Sequence, residues 1–200
     1  MSDKEKQILR EKIWKLMEEK KVACFPLPIK DRIPNFIGSE RAAILLSTLP
    51  EWKMAKVVFA NPDYAQKPVR ELALKQNKIL IMASPKLKEG FIKIEPRHIK
   101  GKEIEASTIR GSFKYGIKIQ EIIKPDLIIT GCVAVDKDGW RLGKGGGYGD
   151  REIKMNFEKF GNIPVATTVH ELQIVDEVPH NENDTKVNFI ITPERIIKVS

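Results

Sequence analysis

Ile8, Leu9, Ile13, Leu16 and Met17 recur at three- and four-residue spacing in an otherwise polar stretch. That spacing predicts an amphipathic helix across residues 3–21. The apolar piece VACFPLP is stopped by Pro26 and Pro28, and after Gly38 the run SERAAILLSTL predicts a second helix with Ser39 as its N-cap. An alternation follows. KVVFAN (56–61) reads as a buried strand, KPVRELALKQ (67–76) as a helix, KILIMAS (78–84) as a strand and GFIKIEP (90–96) as a half-exposed strand. YGIKIQEIIK predicts a short helix, and DLIITGCVAV (126–135) one long buried strand. A helix is expected over roughly 148–160, then a strand in PVATTVH (164–170), with VNFIIT and RIIKV closing the chain. Buried strands alternating with helices predict an α/β fold of three layers, a mostly parallel sheet with helices on its faces. With no internal repeat or low-complexity linker, the 200 residues read as one domain, 1–200.

Charge adds a preference for partners. The formal net charge is +8, with 31% charged residues spread along the chain rather than gathered in a run. A positive field favours anionic ligands such as nucleotides, phosphorylated metabolites or nucleic acid, although a generic soluble surface has the same composition. Cys24 and Cys132 stand far apart with no CxxC neighbour, which argues against a disulfide framework or a zinc knuckle. His98, His170 and His180 are scattered without metal-ligand spacing. No apolar run approaches the ~18 residues of a membrane span, and the first residues lack a signal-peptide core. The expectation is a cytoplasmic protein without a membrane partner.

The densest local signal is GWRLGKGGGYGDRE, where six glycines fall within Gly139–Gly149, directly before a predicted helix. Glycines admit positive φ and let backbone approach a ligand closely. Their amides, with the positive end of the following helix, make a phosphate cradle. The loop is not a Walker A motif, since Gly139 and Gly143 are too close and Lys144 precedes Gly145. It is not a Rossmann fingerprint either, because Tyr148 stands where the third glycine belongs. The residues alone leave two readings: a phosphate or nucleotide site, or a long structural turn.

The order and spacing of PDLIITGCVAVDKDGWRLGKGGGYGDRE resemble the signature of the 5-formyltetrahydrofolate cyclo-ligase (methenyltetrahydrofolate synthetase) family, an apolar strand leading into an RLGxGxGYYD loop. Lys6-Gln-Ile-Leu-Arg10 resembles the family's opening K-x-x-L-R pattern, and VNFIITP its ending. KIWKLMEEKKVACFPLPIKDRIPNFIGSERAA and LPEWKMAKVVFANPDYAQKPVRELALKQNK are similar to the methenyltetrahydrofolate synthase domain-containing branch, some animal members of which carry an RNA-recognition module.

The resemblance implies a NagB/RpiA/CoA-transferase-like (Rossmann-like) fold and an enzyme using ATP and Mg²⁺ on a pterin or folate substrate. In that reaction the formyl oxygen takes the γ-phosphoryl group, a folate nitrogen attacks the activated carbon, and phosphate leaves as 5,10-methenyltetrahydrofolate forms. Carried onto this chain, Lys6 and Arg10 hold the phosphates from one face of the first helix. Arg141 and Lys144 flank them, and Gly143, Gly145, Gly146 and Gly147 close around them. Tyr148 packs near the ligand, and Asp150 contacts Mg²⁺. The chain departs from the pattern twice. Gly149 replaces the second loop tyrosine, and NPDYAQKPVRE stands where the family carries a folate-facing glutamate, with Asp63 near that position. Lys67 and Arg70, if they line the pocket, would favour a more anionic ligand. Either His170 or Gln173 is a further pocket candidate. The alternative to a ligase is a non-catalytic module that binds nucleotide or RNA on the same fold, or a ligase for another pterin-like substrate.

Overall fold

The computed structural model describes residues 3–200. Helix α1 (Asp3–Glu19) buries Ile13, Trp14 and Met17 and leads to a short antiparallel pair, β1 (Ala23–Cys24) and β2 (Asn35–Phe36). Helices α2 (Ser39–Leu46) and α3 (Pro50–Met54) precede β3 (Val57–Ala60), and α4 (Lys67–Lys75) connects β3 to β4 (Ile79–Ala83). After β5 (Phe91–Ile94) come the short helices α5 (Glu103–Ala106) and α6 (Ile109–Tyr115), then β6 (Ile117–Ile119) and β7 (Leu127–Thr130). The second half holds β8 (Ala134–Asp136), β9 (Arg141–Leu142), α7 (Tyr148–Phe160) and β10 (Val165–Thr168). It ends with β11 (Ile174–Val175), β12 (Phe189–Ile191) and β13 (Ile196–Lys198).

The main sheet has eight strands in the order β13-β12-β10-β7-β3-β4-β5-β6. Its five central strands are parallel, and antiparallel strands close both edges. Successive strand residues point to opposite faces, and the core divides accordingly. Val58, Leu80, Leu127 and Ile129 pack with α1, α2 and α4 on one face, while Phe59, Ile81, Ile128 and Ile190 pack with Ile153 of α7 on the other. This is the three-layer, mostly parallel α/β arrangement expected.

Three local expectations are corrected. The run 126–135 is two strands, not one. The chain leaves the main sheet at Gly131, and β8 joins β9 and β11 in a separate three-stranded sheet. A Cβ at Gly131 would stand 2.6 Å from Gln66 Oε1 and 2.7 Å from Ile33 Cγ2, so any side chain at the departure point has to push these two aside. Residues 117–119 form an edge strand against β5 rather than a helix. Their Ile-Lys-Ile alternation has strand period, and Gly116 ends α6 just before it. The cap of α2 falls on Gly38, at φ +91°, with no side-chain cap from Ser39.

The topology itself places a site. From β3 the chain moves outward to β4 and β5, then returns to β7 and proceeds the other way through β10 to β12. Strand order thus reverses between β3 and β7, where the loops leaving their carboxyl ends diverge and open a crevice. Asn61 follows β3 and Gly131 follows β7 at this point. No helix among the described residues is long and apolar enough to cross a membrane.

Candidate functional site

Asn61 ties the two diverging strands together. Its Oδ1 accepts from the Gly131 amide at 3.0 Å, which fixes the side chain so that Nδ2 donates to Glu152 Oε2 on α7. Arg70 of α4 shapes the loop after β3, with Nη1 donating to the carbonyls of Asn61 and Asp63 (both 2.7 Å) and Nε to Ser107 O (2.9 Å). Burial lowers the Arg70 pKa to about 10. Arg70 therefore lines the crevice as scaffold, its Nε and Nη1 spent on carbonyls, while Lys67 leans on Glu71 at 3.5 Å.

The glycine loop forms the opposite wall. Gly145 and Gly147 take φ of +118° and +70°, the left-handed region that side chains disfavour. Arg10 Nε donates to Gly143 O at 2.7 Å, and Arg151 Nη2 to Gly146 O at 3.0 Å while lying over the Tyr148 ring. Two cations thus hold loop carbonyls. Lys144, Gly145 and Gly146 are exposed, and their amides meet no protein acceptor among the described residues. Free donors at the N-terminus of the 13-residue α7 suit an anion.

Arg141 lies beneath the loop, 2% exposed. Its Nη1 reaches Gly131 O at 3.2 Å and its Nη2 reaches Asp150 Oδ1 at 2.9 Å, leaving a buried Nε without a partner. Asp150 Oδ1 also accepts from the amide and hydroxyl of Thr185, whereas its Oδ2 takes no hydrogen bond from a described residue. A carboxylate with one oxygen fixed and one open fits Mg²⁺, which needs only one or two protein carboxylates besides phosphate and water. Lys144 Nζ stands 3.9 Å from Asp63 Oδ1. Burial raises the Asp63 pKa, with Lys144, Arg70 and Arg141 pulling it back.

Glu152 is the group that sequence reasoning did not single out. It is 3% exposed, and burial, reinforced by Asp63, pushes its pKa up to about 8 against the pull of Arg141. A signal was available: Tyr148, Glu152, Asn156 and Phe160 recur every four residues, so the acid falls on the stripe that α7 turns inward. Two buried polar positions on that stripe, Glu152 and Asn156, are the informative observation.

The loop separates two clefts. One, of about 610 Å³, lies toward α4; Asn61 and Glu152 line it with Asp63, Arg141, Lys144 and Tyr148. The other, of about 620 Å³, lies toward α1 and is lined by Lys6, Arg10, Gly145, Arg151 and Lys154 among others. Gly143, Gly147 and Asp150 line both. The expected phosphate residues are therefore divided, with Lys6, Arg10 and Gly145 on one side and Arg141, Lys144, Gly146 and Tyr148 on the other. Lys6 is buried, and its ammonium pairs with Asp184 at 2.5 Å. His170 and Gln173 line neither cleft. They cap a short turn, with His170 Nδ1 accepting from Leu172 N and Gln173 Oε1 from His170 N. Trp140 stacks on His180 at 3.9 Å beside the loop's root.

Comparison with known proteins settles the lineage. The model of the 5-formyltetrahydrofolate cyclo-ligase family matches residues 2–193. The chain belongs to this family. It is 39% identical over 203 residues to the methenyltetrahydrofolate synthase domain-containing protein of Bos taurus, covering 96% of this chain and 53% of that one. The Homo sapiens counterpart is 38% identical over 204 residues, again 96% and 53%. The chain thus spans about half the length of these curated relatives. Escherichia coli 5-formyltetrahydrofolate cyclo-ligase is 37% identical over 71 residues, 36% of this chain and 38% of that one. The NMR structure of Aquifex aeolicus 5,10-methenyltetrahydrofolate synthetase shares the fold, with TM-score 0.61 at 23% identity over 97% of this chain and 92% of the other.

Family membership gives the Gly149 departure a physical meaning. A Cβ there would stand 2.8 Å from Arg141 Nη2, so the space next to the first loop tyrosine is filled by the guanidinium. Gly149→Ala is expected to displace Arg141 and cost about 1–3 kcal/mol, read as a lowered midpoint in scanning calorimetry. An unchanged midpoint would show that the guanidinium yields freely.

Proposed function

We propose that the chain is an ATP- and Mg²⁺-dependent 5-formyltetrahydrofolate cyclo-ligase, forming 5,10-methenyltetrahydrofolate, ADP and phosphate. One observation carries the reading: two clefts of ligand size meet at Gly143, Gly147 and Asp150. A phosphoryl donor in the α1 cleft and an acceptor in the α4 cleft would meet directly beside Gly143, Gly147 and Asp150, and phosphoryl transfer depends on such positioning and on charge neutralisation. Arg10, the loop amides and Arg151 suit the phosphates, with Lys6 contributing alongside Asp184. Asp150 would hold Mg²⁺, which supplies charge neutralisation on phosphate oxygens. Arg141 and Lys144 stand on the acceptor side, where the transferred group arrives. The α4 cleft also suits a folate: Phe25 and Tyr64 make an edge-on aromatic pair at 5.3 Å by its mouth, and Arg32, Lys67 and Lys86 supply positive charge for an anionic tail.

The test is the appearance of methenyl absorbance dependent on both ATP and 5-formyltetrahydrofolate, beside ATP and RNA binding titrations. Lys144→Ala should lower kcat about 100-fold, as loss of one oriented transition-state charge does, and leave ATP affinity nearly unchanged. Arg10→Ala should weaken ATP binding. Tight ATP binding with no methenyl product would leave a nucleotide-binding module and remove the ligase assignment. Saturable RNA binding without turnover would favour an RNA module instead.

A further inference from the structure

At the floor of the α4 cleft, a buried acid has a neutral amide as its side-chain partner. Asn61 Nδ2 donates to Glu152 Oε2, and no described residue donates to Oε1. No cation among the described residues makes an ion pair with it: Arg141 acts on it through its charge but hydrogen-bonds Gly131 and Asp150, and Lys144 lies by Asp63. Asn61 cannot turn away, because its Oδ1 is held by the Gly131 amide. Burying a carboxyl group this way costs stability, and groups so placed concentrate at ligand-binding sites.

We propose that Glu152 and Asn61 form the specificity-determining floor of the α4 cleft, a fixed hydrogen-bonding pair that reads the polar edge of a planar nitrogen heterocycle. Glu152 lines the cleft, and its Oε2 is locked in register by Asn61. A carboxyl group so held complements an edge where a ring N–H adjoins an amino or carbonyl group, because two parallel hydrogen bonds can form. Asp63 from the β3 loop, Arg141 from β9 and Asp150 from α7 itself surround the pair, so an edge lacking donors would meet mainly acceptors. This inference rests on the pterin-type acceptor proposed above. It assigns the reading of the ring to α7, whereas NPDYAQKPVRE contributes the amide partner.

The test measures dissociation constants of 5-formyltetrahydrofolate, p-aminobenzoylglutamate and ATP, each alone, for the wild type, Glu152→Leu and Glu152→Gln. Glu152→Leu should weaken 5-formyltetrahydrofolate about tenfold or more, the scale of a lost buried hydrogen bond. It should leave p-aminobenzoylglutamate, which lacks the heterocycle, and ATP within about twofold. Glu152→Gln, which keeps one acceptor and one donor, should recover part of the loss. If Glu152→Leu binds 5-formyltetrahydrofolate as the wild type does, the inference falls and the ligase reading stands. Equal loss of all three ligands would make Glu152 a scaffold residue and also overturn it. A wild type that binds ATP but no 5-formyltetrahydrofolate would remove the acceptor reading and the inference together.

Discussion

Replacing Arg141 by alanine is expected to remove about 3 kcal/mol of stability and at least 100-fold of kcat/KM in the proposed ligase reaction. The stability loss follows from burial: the guanidinium is 2% exposed, and its deletion leaves Gly131 O and Asp150 short of a donor in the interior. Breaking a buried ion pair from one side costs about 3–5 kcal/mol. Thr185 still donates twice to Asp150 Oδ1, which holds the cost to the lower end. For a chain of this length, that corresponds to a fall of about 6–12 °C in the unfolding midpoint. The activity loss has a separate origin. Arg141 joins the β7 exit to the first turn of α7, so it orients Asp150 and presents charge to the α4 cleft at once, and one preorganised charge is worth about 100-fold. Arg141→Lys separates the two effects. Lysine keeps the charge but cannot make the fork, so it should retain more stability than alanine while still losing most of the rate. Calorimetry and steady-state assays on the same preparations decide the matter. A midpoint within 2 °C of wild type with unchanged kcat/KM would remove Arg141 from the site.

Much of this was legible before the structure. The buried runs of β3, β4, β7 and β10 declared a parallel sheet, and the abrupt change after Gly147 marked the start of α7. The glycine loop, Arg10, Arg141 and Asp150 were singled out by pattern and resemblance, and all of them line one or both clefts. What could not be read is how the chain divides them. Gly131 looked like an ordinary residue within an apolar run, yet it is where one strand becomes two and the β7 exit opens. Local apolarity does not reveal that, because the reason lies in Gln66 and Ile33, distant in sequence and close in space. The glycine loop in turn splits the basic set between two clefts. Ile117–Ile119 went astray because three residues of strand period sit between helical ones, and pairing with β5 outweighs so short a local preference. Glu152 escaped because its neighbours in sequence, Asp150 and Arg151, are charged too. Only its place on the helix separates an inward acid from a surface one.

That inward acid sets the second large effect. Glu152 has an ordinary pKa of 4.5 when exposed and about 8 in the fold. Between those values the folded state holds a proton that the unfolded chain has released, so stability falls as pH rises from about 4.5 to 8 and levels above it. Asp63, also shifted upward by burial, acts in the same direction. The full shift corresponds to a few kcal/mol, on the order of 1.4 kcal/mol per unit. Glu152→Gln removes this proton and keeps the shape, so the variant should match wild type near pH 4.5 and exceed it by a few kcal/mol near pH 8.5. The difference between the two urea-unfolding profiles reports Glu152 together with its coupling to Asp63 and Asp150, because every other carboxylate is common to both. Parallel profiles across this range would mean that Glu152 is ionised in the fold. A variant more stable than the wild type yet poorer at holding the folate ring would show what the buried acid is retained for, since active sites keep costly groups that scaffolds discard.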